Sequence, residues 1–164
     1  MAKASDIRGT PEAVISDLCH RYSWVFDLDA AALRENAVTP EYFGPDHARP
    51  ELRDALANGL CWWKHGSCVW LNMPYSEIPL WLDKVQRELR RAKREGKPMV
   101  VVCLLPSSTS THWWHAHVWD RDACQWRARV GRVDFYPVRI NFAPYFSGAK
   151  WPSVVVEFRS QAVR

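Results

Sequence analysis

Apolar residues along this chain fall into short runs broken by polar punctuation, and the spacing inside each run predicts its element. Between residues 11 and 21, Val14, Ile15 and Leu18 recur at helical spacing, with Thr10 able to cap and Pro11 suited to the first turn. The run "YSWVFDLDAAA", residues 22–32, reads as a short strand ending near Asp27 or Asp29. Residues 39–59 hold Pro40, Pro45, Pro50, Gly44 and Gly59 among mixed charges, which predicts loop with one short helix around 51–56.

"SCVWLN", residues 67–72, is the next strand, closed by Pro74. The helix after it carries Trp81, Val85, Leu89 and Ala92 as one apolar stripe until Gly96 and Pro98 stop it. "MVVVCLLP", residues 99–106, is continuously apolar, as expected of a strand buried on both faces of a parallel sheet. "ARVGRVDFYPV" and "SVVVEFR" add strand-like runs near the end. Strands alternating with helices predict a three-layer α/β sandwich with a mixed, mostly parallel sheet and a ligand site at the carboxyl ends of the strands.

Length and charge narrow this picture. The 164 residues make one domain, with room for a small target-recognition segment within 107–150. The net charge of +4 leans toward a polyanionic partner. Ten tryptophans exceed ordinary usage, and they serve either as core or as stacking platforms for unpaired bases. The five cysteines are scattered without a CxxC pair, which favours a reducing compartment and gives no zinc knuckle. No apolar run is long enough to span a bilayer and no signal-peptide core precedes Pro11, so the chain is expected to be cytoplasmic, without membrane or metal, and a monomer or weak dimer.

The stretch "NMPY", Asn72, Met73, Pro74 and Tyr75, carries the candidate chemistry. A side-chain amide oxygen beside a backbone carbonyl forms a two-acceptor fork that matches an exocyclic amine with two hydrogens to give. An adjacent aromatic ring can hold the heterocycle bearing that amine. A turn that merely ends a strand would use the same residues.

The chain resembles the phage-type DNA adenine-N6 methyltransferases (a Dam-like family), which carry an (Asp/Asn)-Pro-Pro-(Tyr/Phe) loop. Thr10-Pro11, "FDLDAAA", "NAVTPEYF", "LLPSSTSTHWWH", "GRVDF" and "WPSVVVEF" resemble the family's successive blocks in order. The resemblance implies a Rossmann-like, S-adenosylmethionine-dependent methyltransferase that acts on a flipped-out adenine in DNA, in a bacterial host's cytoplasm if the chain is phage-derived. It also implies that Asn72 and the Met73 carbonyl receive the adenine amine while Tyr75 stacks on the base. By the same resemblance Asp29, with Ala30, Thr10 and Pro11, would meet the cofactor, Asp27 being the alternative to Asp29; a helix-capping role for either aspartate is the competing account.

Three departures stand out. Met73 replaces the family's first proline while keeping the carbonyl the chemistry asks for, so Met73→Pro is expected to keep or raise turnover. Ser108 stands where the family often has Arg, and alanines after Asp29 replace a glycine-rich turn. They leave open a degenerate nucleic-acid-binding protein, or a methyltransferase of the same loop type acting on RNA adenine or a glutamine amide.

Phosphate contacts are expected from Arg127, Arg129, Arg132, Arg139 and Lys150, and a second stacking aromatic from residues 142–146, with Phe146 as candidate. The basic run at 84–97 reads as a solvated helix face with internal ion pairs, the alternative being a surface that tracks phosphates. In "HWWHAH", His112, His115 and His117 lack a marked fourth ligand, which favours a helix packed beside the site over a metal centre.

Overall fold

The computed structural model describes residues 9–142 and 151–161. Its main sheet has five strands in the order β1 (Leu28–Asp29), β2 (Cys68–Leu71), β3 (Val100–Pro106), β7 (Ser153–Arg159), β6 (Val130–Phe135). β1, β2 and β3 run parallel, whereas β7 is antiparallel to both of its neighbours. The continuous apolar run of β3 therefore reflects a strand with neighbours on both edges and packing on both faces, but its two partners run in opposite directions, and the sheet is mixed.

Alternation along the strands divides the core into two layers. Val69, Leu71, Val101, Cys103, Leu105, Val154, Val156 and Phe158 face α2 (Ile78–Arg94), α3 (His112–His117) and the loops after β1. Trp70, Val102, Leu104 and Val155 face Val14 and Leu18 of α1 (Glu12–Tyr22) and Trp24 just beyond its end. Helices on both faces of the sheet give the three layers expected from the sequence. Tryptophan is mostly core here: Trp24, Trp62, Trp70, Trp81, Trp113 and Trp114 are all buried, whereas Trp126 and Trp151 are exposed.

Several local expectations need correction. The run at 22–32 contributes only a two-residue strand, lengthened by Asp27 N–H donating to the Cys68 carbonyl and Ala30 N–H to the Trp70 carbonyl. The short helix expected at 51–56 is a 3-10 turn, Pro50–Leu52. Thr10 does not cap α1: Pro11 is the N-cap residue and no side chain bonds there.

The basic helix is not wholly solvated either. Lys84 and Glu88 of α2 are buried as an ion pair at 2.9 Å. The Lys84 ammonium also donates to the Ala57 and Leu60 carbonyls, and the second Glu88 oxygen accepts the Trp62 N–H. With every polar atom of the pair answered, desolvation is offset, and the loop at 55–62 is stapled to α2. Burial lowers the Lys84 pKa, and Glu88 opposes that shift. Among the described residues no helix is long and apolar enough to cross a membrane.

Candidate active site

β2 ends at Leu71, and alternation then turns Asn72 toward the α1 side of the sheet, where its Nδ2 donates to Thr10 Oγ1 at 3.2 Å. This bond fixes the nitrogen end of the amide. Thr10 thus serves the loop and not the helix that follows it. Pro74, at φ −56° and ψ 122°, opens a 3-10 turn, Tyr75–Glu77, and its carbonyl accepts the Glu77 N–H at 3.1 Å before α2 begins at Ile78 with Pro79 in its first turn. A strand end followed by two prolines leaves the loop few alternative backbone paths.

Met73 fills a core position, with 1% of its surface exposed among Ile78, Trp81 and Leu82. The sequence expectation valued only its carbonyl; its side chain is also a packing element. Met73→Pro is expected to cost about 2–3 kcal/mol from lost packing, read as a fall in melting temperature, whatever it does to turnover. Tyr75 is half-buried and lies against the same core.

Between the end of β1 and this loop lies a cleft of about 270 Å³. Ala30 and Ala31 form one wall, Phe43, Gly44 and Pro45 another, Arg53 to Leu56 a third, and Pro74, Glu77 and Trp81 close it. The segment carrying Phe43 is held against β1 by backbone bonds, Phe43 N–H to Asp29 C=O at 2.8 Å and Ala32 N–H to Phe43 C=O at 3.0 Å. On the outer side of that segment a second, open cavity of about 490 Å³ is lined by Arg34, Val38, Thr39, Tyr42 and His47. The buried Tyr42 hydroxyl has no hydrogen-bond partner among the described residues.

Asp29 is 3% exposed. Its carboxylate accepts from Ala31 N–H at 3.2 Å and from Val38 N–H at 3.0 Å. Burial pushes its pKa up to about 6, and the two backbone donors only partly offset this. Such a carboxylate is best suited by a cation. Asp27 sits at the other end of β1, where its oxygens accept from the Ser67 and Cys68 N–H groups and the Ser67 hydroxyl, so it is occupied in fastening the start of β2.

The arginines expected to gather near the loop are dispersed. Arg129 precedes Val130, which pairs through β7 with the start of β3, at the sheet end opposite Asn72. Its guanidinium donates to the Ser160 carbonyl. Arg132 stacks over the Tyr22 ring at 4.4 Å, and Arg127 is bound to Asp120 and the His115 carbonyl. Phe142 is buried in the α1-side core, so it does not serve as the second stacking aromatic; Phe146 and Lys150 lie outside the described residues. Trp113 and Trp114 pack α3 into the core beside α2, and no group of three or more potential metal ligands occurs among the described residues. Sequence reasoning gave no site role to Tyr42, Gly44 or Arg53; Tyr42 lies within the "NAVTPEYF" stretch and the other two follow it.

A family model described as DNA N-6-adenine-methyltransferase (Dam) matches residues 1–162. A DNA N-6-adenine-methyltransferase of Escherichia phage T1 is 32% identical over 108 residues, a match covering 66% of this chain and 39% of that protein. The chain thus matches well under half the length of that relative.

Proposed function

The chain belongs to the DNA N-6-adenine-methyltransferase (Dam) family, and from that premise we propose that it methylates N6 of an adenine flipped out of DNA, with S-adenosylmethionine as donor and a Rossmann-like fold as its frame. The observation that carries this reading is the 72–75 loop at the carboxyl end of β2: Thr10 anchors the Asn72 amide through its nitrogen, and Pro74 of the same loop lines a cleft that reaches Ala30 and Ala31 at the end of β1. Open α/β sheets bind their ligands at that end of the strands.

When bound, S-adenosylmethionine supplies an electrophilic methyl on a sulfonium. Asp29 would take its ammonium, and Ala30, Phe43 and Gly44 would border it. The chain's own residues do the rest. Asn72 Oδ1 and the Met73 carbonyl accept the two N6 hydrogens, which draws the nitrogen toward tetrahedral geometry and exposes its lone pair. The Tyr75 ring lies against the base and offsets part of the unstacking cost with about 1–3 kcal/mol of stacking. Orientation supplies most of the rate, so no nucleophile is required.

The direct test is to express the chain, digest cellular DNA to nucleosides and look for N6-methyladenine. Its absence in cells holding folded protein overturns the reading.

Asp29 gives this reading a pH signature. Its folded-state pKa of about 6 lies above the ordinary 3.8, so the carboxylate costs nothing below about pH 4 and weighs fully against folding above about pH 6, by about 3 kcal/mol. An ammonium partner needs the ionised form. Cofactor affinity should therefore rise as pH increases through about 6, and Asp29→Asn should weaken it about 10- to 100-fold while flattening that dependence. Calorimetric titration between about pH 5 and 8 reads both effects, and a wild-type affinity indifferent to pH would remove Asp29 from the cofactor site.

A further inference from the structure

At the end of the molecule away from the 72–75 loop, α2 and the start of β6 enclose a groove of about 400 Å³ whose lining is entirely cationic: Arg87, Arg90, Arg91, Lys93, Arg94 and Arg129. Of the two carboxylates adjacent in sequence, Glu88 is buried and already shared by Lys84 and Arg91, and Glu95, just past the end of α2, is not among the lining residues. Arg91 is further fixed by the Asn58 carbonyl and Arg129 by the Ser160 carbonyl. Two of the cations are thus held in place by the fold. Burial, and secondarily the charge of Arg90, depresses the Arg129 pKa. The ion pairs within α2 centre on the buried Glu88, and no acidic side chain lines the groove itself.

α2 begins three residues after Tyr75 and brings its basic end to the groove. Residues 87–94 lie 9 to 16 positions beyond Ile78, roughly 14–24 Å along the axis at 1.5 Å per residue. For a duplex laid along α2, rising about 3.4 Å per base pair along each strand, that is about 4–7 base pairs. We propose that this groove grips the sugar-phosphate backbone of duplex flanking the target, about 4–7 base pairs from the flipped adenine, as a second DNA contact separate from the catalytic loop. The inference rests on the adenine-methylation reading for its spacing. Its charge chemistry, six cations facing a regular polyanion, stands independently.

The test measures binding of a random-sequence duplex of roughly 30 base pairs, about three helical turns, across a salt series without cofactor. Arg90 and Arg94 are exposed, so the double variant Arg90→Gln, Arg94→Gln leaves the core untouched, and a thermal melt checks this. Each lost phosphate contact lowers the slope of log K against log salt by about 0.9, so the double variant should lose about 1.8 and bind about 30-fold more weakly at about 0.15 M salt. An unchanged slope in a folded variant overturns the proposal. Because the assay needs no methyl transfer, the two ideas fail separately. A reduced slope without cellular N6-methyladenine supports the groove and sinks the adenine reading, whereas methyladenine with an unchanged slope does the reverse.

Discussion

Asn72→Ala is expected to lower methyl transfer by about 10²- to 10³-fold, equivalent to about 3–4 kcal/mol of transition-state stabilisation, while leaving DNA and cofactor binding nearly intact. In the proposed mechanism the loss falls on turnover, because the amide oxygen would be one of the two acceptors that reshape the amine, work done only as the new bond forms. Losing the bond to Thr10 costs about 1 kcal/mol more in stability, enough to measure but too little to unfold the chain. Asn72→Asp separates the two effects. A carboxylate still accepts, and the Thr10 hydroxyl can turn from acceptor to donor, so the Asn72→Asp variant should keep turnover within about tenfold of wild type, the value of a modest hydrogen-bond change. Single-turnover assays on both variants decide the matter: an alanine variant that turns over normally means the fork does not exist.

Gly44→Ala should have the largest effect on stability of any small substitution near the cleft. A Cβ at that position would lie 1.7 Å from the Ala32 carbonyl oxygen and 2.9 Å from its carbon. Neither backbone can yield cheaply, because Ala32 N–H donates to the Phe43 carbonyl and Gly44 N–H to that of Leu52. The expected cost is about 3 kcal/mol or more, together with displacement of the wall formed by Phe43, Gly44 and Pro45 and hence loss of cofactor affinity. Gly59 supplies the control, since nothing stands within 4 Å of a Cβ there and Gly59→Ala should be close to neutral. Thermal melts of the two variants test the pair, and equal melting temperatures would show that the Gly44 contact is not tight.

Much of the architecture could be read from spacing alone. α2 announced itself because Trp81, Val85, Leu89 and Ala92 repeat at the helical period, and all four are buried. β3 was legible as a buried strand for the same kind of reason. The direction of β7 beside it was not, because an apolar run faces its neighbours identically whether the partner runs parallel or antiparallel. Charge was the least legible feature. Lys84 and Glu88 look like a surface pair at i,i+4, yet the loop at 55–62 folds over them, and only that loop's carbonyls and N–H groups make their burial tolerable.

The candidate site divides along the same line. The order of residues determined that an amide, a carbonyl, a proline and an aromatic ring follow a strand, because alternation and proline geometry act over a few neighbouring positions. Contacts across long separations decided the rest: Thr10 holds Asn72 from 62 residues away, the segment after residue 40 walls the cleft, and Arg129 stands with α2 at the far end of the sheet. Those pairings depend on which surfaces the packed core brings together, and local periodicity carries no record of that.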